Sequence, residues 1–131
     1  MIGLDTNVLV RYIMQDDLQQ ARKVNRLIES LTLQEPGFVP IVALLELYWV
    51  LVKPYELSRV QAAQAIDMLL RSKEIVLDRA EQVAQALRLY ESSTADFADC
   101  LIERLSVSAG CERTMTFDTK AAKLIGMTLI T

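Results

Sequence analysis

The stretch that most limits what this chain can become is its start, Met1-Ile2-Gly3-Leu4-Asp5-Thr6-Asn7-Val8-Leu9, where an apolar run stops at an acid, a hydroxyl and an amide. Such a run reads as a buried strand whose carboxyl end opens onto a helix or loop, and in open α/β sheets ligands bind at that end. Asp5 has two sound readings there: cap of the helix that begins near Val8, or carboxylate of a site. The pattern returns late in the chain, where Thr114 to Phe117 reads as a strand with Asp118 at its end.

Between these points short strand-like runs alternate with longer helical ones. Val8 to Met14 is helical in pattern, and Gln15-Asp16-Asp17 offers a cap for the next helix. That helix runs to about Leu31 and turns Leu18, Ala21, Val24, Leu27, Ile28 and Leu31 inward. Phe38-Val39 reads as a second strand, and Pro40 suits the first turn of a helix. Ile41 to Val52 is apolar nearly all round, which predicts a buried helix with Glu46 as its only charge. A carboxylate in an apolar interior must reach water, find a cation or take up a proton.

Ser58 is placed to cap a helix carrying Val60, Ala63, Ile66 and Leu70 inward, and Glu74 to Leu77 reads as a third strand. Asp78-Arg79-Ala80-Glu81 has the pattern of a capping box, with Asp in the hydroxyl position, for a helix through Val83, Ala84, Leu87 and Tyr90. Ser92-Ser93-Thr94 supplies the cap of another helix, Asp96 to Ala109, on which Asp96, Asp99 and Glu103 share one face. Lys120 to Ile125, closed by Gly126, and a strand at Met127 to Ile130 complete the chain. Strands alternating with helices predict one α/β domain over residues 1–131, a parallel sheet of about five strands covered on both faces.

Composition narrows the chemistry. There is no histidine among the 131 residues, which removes Ser-His-Asp and Cys-His machinery and every His-ligated metal site. Cys100 and Cys111 are too few for a disulfide framework or a four-ligand zinc site. A net charge of −3 lacks the overall basic balance of a nucleic-acid binder, so any RNA contact must be local. The run from Ile41 to Val52 is too short to span a bilayer, and Asp5 and Arg11 interrupt any signal-peptide reading of the start, so a cytoplasmic protein is expected.

Four carboxylates, Asp5, Glu46, Asp99 and Asp118, are expected to converge at the strand ends. Clustered acids repel and take up protons unless a cation neutralises them, and oxygen ligands alone suit Mg²⁺ or Mn²⁺. Such an ion polarises a phosphoryl oxygen and lowers the pKa of bound water, which points to phosphodiester hydrolysis. Arg11, Lys120 and Lys123 lie close in sequence to these acids and are candidates for an RNA-binding rim.

The segments MIGLDTNVLVRY, VALLELYWVL, ADFADCLIERL and TMTFDTKAAKL resemble, in order and over essentially the whole chain, the acidic motifs of PIN-domain ribonucleases, and most closely the VapC-type toxins of toxin–antitoxin pairs. The resemblance implies a three-layer α/β/α PIN-like domain that cleaves single-stranded RNA with Mg²⁺ or Mn²⁺. It implies Asp5, Glu46, Asp99 and Asp118 as active-site acids, with Asp5, Asp99 and Asp118 on the metal. Thr6, Asn7 and Thr116 would be supporting polar groups. The family pattern favours Asp99 over Asp96 because Asp99 precedes a small residue and an aliphatic pair; Asp96 suits the helix dipole instead. VALLEL lacks the hydroxyl residue that often precedes the family's glutamate. The resemblance further implies a homodimer, for which Tyr48-Trp49 is a candidate contact, and a small antitoxin whose arginine-bearing tail enters the acidic cleft.

Two other classes compete. A metal-dependent phosphatase would use similar acids, although Asp5-Thr6-Asn7 lacks the second aspartate of the aspartate-nucleophile phosphatases. A binding module would use the acids only as caps, which leaves Glu46 unexplained.

Overall fold

The first apolar run forms β1 (Ile2–Gly3), and the chain turns at Asp5 into α1 (Thr6–Met14). The computed structural model describes residues 1–131 and divides into two compact units, Met1–Asp78 and Arg79–Thr131.

In the first unit Asp17 caps α2 (Leu18–Ser30) by accepting from the Gln20 amide at 3.1 Å. β2 (Gly37–Val39) then lies parallel between β1 and β3 (Ile75–Leu77), with Ile2 opposite Gly37 and Gly37 opposite Ile75. Gly37 lies close against two leucines: a Cβ there would stand 2.8 Å from Leu4 Cδ1 and 3.0 Å from Leu31 Cδ1, so one of them would have to shift. α3 (Ile41–Val52) packs on α1 and α4 (Arg59–Arg71), and α4 packs on β3. Ser58 and Gln61 form a capping box at the head of α4. Leu9, Val39, Leu47, Leu51, Ile66 and Leu69 are fully buried and form the middle of this unit's core.

In the second unit α5 (Ala80–Glu91) packs along α6 (Phe97–Ser108), and the Tyr90 and Phe97 rings meet edge to face at 5.6 Å. β4 (Met115–Thr116) runs parallel to β5 (Thr128–Leu129). α7 (Thr119–Ile125) joins them and ends at Gly126, whose φ of 80° is the left-handed conformation glycine adopts without strain.

Seven helices alternate with five short parallel strands, the α/β arrangement expected of a three-layer α/β/α fold. The strands form two ladders, three-stranded in the first unit and two-stranded in the second, rather than one continuous hydrogen-bonded sheet. With two or three residues each, the strands leave few amides to extend the pairing.

Five local expectations are corrected, the first being the cap of α6, which is Asp96 itself and not Ser92-Ser93-Thr94, because the helix starts at Phe97. Leu18 and Val60, expected inward, are 71% and 67% exposed, because each is the first or second residue of its helix and the buried stripe starts one turn later. α3 is not buried all round: Leu44, Leu47, Tyr48 and Leu51 face the core, while Val42 and Trp49 face water. Tyr48 is therefore a core residue, and only Trp49 of the aromatic pair reaches the surface. The capping box at Asp78 does not form. Arg79, left-handed at φ 56°, is the residue before α5 and makes no side-chain cap, while Asp78 Oδ2 accepts from the Ile41 amide at 3.2 Å.

That last contact explains how α3 begins after Pro40, which has no side chain able to cap. Parallel pairing of β2 and β3, continued by the Asp78 amide donating to the Val39 carbonyl at 2.9 Å, brings Asp78 to the head of α3. Asp78→Ala should cost about 1 kcal/mol, the usual worth of a helix cap. Glu81→Ala should cost far less, and urea midpoints at constant slope would register the difference.

Candidate active site

Three of the sequence's notable acids begin helices. Asp5 Oδ1 accepts from the Thr6 amide at 2.7 Å at the head of α1. Asp96 Oδ1 accepts from the Ala98 amide at 2.8 Å at the head of α6. Asp118 Oδ1 accepts from the Lys120 and Ala121 amides at 2.8 and 3.3 Å at the head of α7. Each cap occupies one carboxylate oxygen, so the two readings of Asp5 are compatible: capping leaves Oδ2 outside the cap.

In the second unit these caps gather around Asp99, in the first turn of α6. Partial burial raises the Asp99 pKa above the ordinary aspartate range, and the charges of Asp96 and then Asp118 push it the same way. The structure thus brings Asp99 and Asp118 within electrostatic reach of each other, together with Asp96, which is the helix cap. Glu103, on the same face of α6 as Asp99, is nearly buried and held by a two-point ion pair with Arg104, with one contact at 2.7 Å and a second shorter still. Its charge is already matched.

In the first unit Asp5 and Glu46 stand on the packed helices α1 and α3. Glu46 meets the demand of an apolar helix by facing water, beside a largely apolar groove of about 550 Å³ that includes Val42, Trp49 and Lys53. Lys53 Nζ lies 6.0 Å from the centre of the Trp49 ring, at the edge of cation–π range.

The supporting residues differ in kind. Thr6 is buried beneath the start of α1, whereas Asn7 is exposed. Thr116 Oγ1 accepts from the Asp118 amide at 3.0 Å and so fixes the turn that presents the acid. Lys120 and Lys123 are exposed on α7. Arg11 is engaged elsewhere: its guanidinium donates to Gln20 at 2.6 Å, Asp16 at 3.2 Å and the Tyr55 hydroxyl at 3.1 Å. Tyr55 in turn donates to Asp16 at 2.7 Å, which holds the Asp16 carboxyl below its usual range. This network ties α1 to the loop after α3, and no local sequence signal announces it, because Arg11 and Tyr55 are far apart in the chain.

A raised Asp99 pKa makes a signed prediction. Ionising Asp99 costs more in the folded chain than in the unfolded one, so the favourable contribution is complete at low pH and lost as pH rises through the folded value. Asp99→Asn should melt at or above the wild-type temperature at neutral pH, and the gap should close as pH falls through the aspartate range. Asp118→Asn should keep its cap, whereas Asp118→Ala should lose about 1 kcal/mol.

The model of the PIN-domain family matches residues 2–126, across both units. The chain is also 23% identical to the VapC ribonuclease of Aquifex aeolicus (strain VF5) over 122 residues, 92% of this chain and 90% of that protein. A match over nearly the full length, starting at the strand before Asp5 and running past Asp118, bears out the resemblance carried by the four acidic segments: this chain belongs to the PIN-domain family.

Proposed function

We propose that this protein is an endoribonuclease, dependent on Mg²⁺ or Mn²⁺, that hydrolyses phosphodiester bonds in single-stranded or loop RNA and serves as the toxin of a toxin–antitoxin pair. The observation that carries the reading is the repelling set Asp96, Asp99 and Asp118 in a chain similar along its length to a VapC ribonuclease. Carboxylates held together against their own repulsion are stabilised by a cation and otherwise cost stability.

The donor set fits a hard divalent ion: the acids offer oxygen only, and the chain contains no histidine. Asp5, Asp99 and Asp118 would be the residues that hold the ion, as carboxylates suited to Mg²⁺ or Mn²⁺. When bound, such an ion supplies an electrophile for the phosphoryl oxygen and makes water a better nucleophile. The chain's part is to keep Asp118 fixed by its cap and by Thr116, to hold Asp99 partly out of water, and to add Glu46 as a fourth carboxylate. Lys120 and Lys123 are exposed cations suited to RNA phosphates on an otherwise acidic protein. The bonds that Arg11 makes to Asp16, Gln20 and Tyr55 suit it less to that task.

As a toxin the protein would act in the cytoplasm, and no helix is long and apolar enough to cross a membrane. A cognate antitoxin would carry an arginine to the acids, because a guanidinium pairs with carboxylates at two points and can replace the metal's charge. A homodimer is part of the same reading, with Trp49 rather than Tyr48 available at the surface.

The test is cleavage of total RNA with mapped ends, in Mg²⁺, in Mn²⁺ and with chelator, beside a small phosphate ester. RNA should be cut only with metal and the ester left intact. Asp5→Asn and Asp99→Asn should each abolish cutting while leaving the protein folded, and Asp96→Asn should have a smaller effect. Expression of the chain alone should arrest growth, with rescue by the small protein encoded beside it. A harmless wild type with intact RNA would end the toxin reading.

A further inference from the structure

Phe117 is 79% exposed, the most exposed large apolar side chain of the protein, and it stands between Thr116 and Asp118. Its surroundings are ordered by bonds on both sides. The Ile130 amide donates to the Thr116 carbonyl at 2.8 Å, the Asp118 amide donates to Thr116 Oγ1 at 3.0 Å, and Asp118 Oδ1 caps α7. The ring is therefore carried into water by a pinned turn.

A phenyl ring held in water beside a site carboxylate suits one class of occupant. In single-stranded RNA each phosphate is joined to its base through a single sugar, and proteins that bind such strands pair cations for phosphates with aromatic rings for bases. Asp118 and Phe117 are adjacent residues, about 3.8 Å apart at Cα, and exposed Lys120 follows in the first turn of α7. A strand reacting at Asp118 would have a base within reach of the ring.

Met115, 47% exposed, lies on the same ladder, and Ile130, 41% exposed, follows it and donates its amide to Thr116, so a protein partner is the competing occupant. The base is favoured because exposure is greatest at the acid end of the ladder and not along its face. Resting on the ribonuclease reading above, we propose that Phe117 stacks on a nucleobase next to the bond that is cut, and so helps set substrate affinity and the position of the cut.

The experiment uses short single-stranded RNAs with 2-aminopurine placed successively around a mapped cleavage position. Phe117→Trp should keep the wild-type KM, while Phe117→Leu and Phe117→Ala should raise it roughly tenfold with kcat largely retained, and should loosen the choice of cut. In Asp99→Asn protein, where cleavage is blocked, 2-aminopurine at one position should be quenched, and adding Phe117→Leu should remove the quench. Circular dichroism confirms that each variant is folded. If Phe117→Leu matches wild type in KM, cut position and quench, the contact is not a stack and the inference is overturned alone. It is likewise overturned if Phe117→Ala changes oligomeric state at unchanged KM. A wild type that cuts no RNA overturns the ribonuclease reading instead, and this inference with it.

Discussion

A carboxylate that begins a helix has two oxygens, and the helix start can be satisfied with one. Asp5, Asp96 and Asp118 each use Oδ1 for this purpose. The consequence is acids fixed in position by the backbone, at the ends of strands or the heads of helices, with an oxygen still available. Fixing them has a cost that shows at Asp99, where partial burial and two neighbouring carboxylates oppose ionisation. A cation relieves that opposition, which is why the repulsion and the proposed chemistry have the same physical origin.

The rest of the fold serves these helix starts. Strands of two or three residues give little pairing of their own, and they are set instead by buried side chains and close approaches such as Gly37 against Leu4 and Leu31. α3 depends on a neighbour in space: proline precedes it, and the missing cap arrives from Asp78 at the end of β3. The Arg11–Asp16–Tyr55 network holds α1 to the loop after α3 in a similar way. Asp5 thus sits at the head of a helix that is anchored at its far end.

Charge is distributed by the same logic. The protein is acidic overall, yet the proposed RNA substrate is anionic, so under that reading binding would rest on local cations and on apolar contact. Of the basic residues near the acids, Arg11 is tied up in structure while Lys120 and Lys123 are open to water on α7. The exposed ring of Phe117 belongs to the same turn as Asp118. Glu103, by contrast, is paired with Arg104 and adds no free charge to the face it shares with Asp99.

The local order of the chain determined much of this. Strand positions, helix spans, the caps at Asp17 and Ser58, the glycine ending α7, and the acids past β1 and β4 all follow from neighbouring residues, since periodicity, capping and turn chemistry act over a few positions. The four acidic segments were legible for the same reason, and they carried the family. Tertiary structure alone decided the remainder. It chose which face of α3 meets water, and it sent Asp78 to Ile41 instead of to its own helix. It also closed Arg11 into a network and brought Asp118 within electrostatic reach of Asp99. These outcomes depend on contacts between residues distant in sequence, and local pattern contains no information about which distant partner will be present.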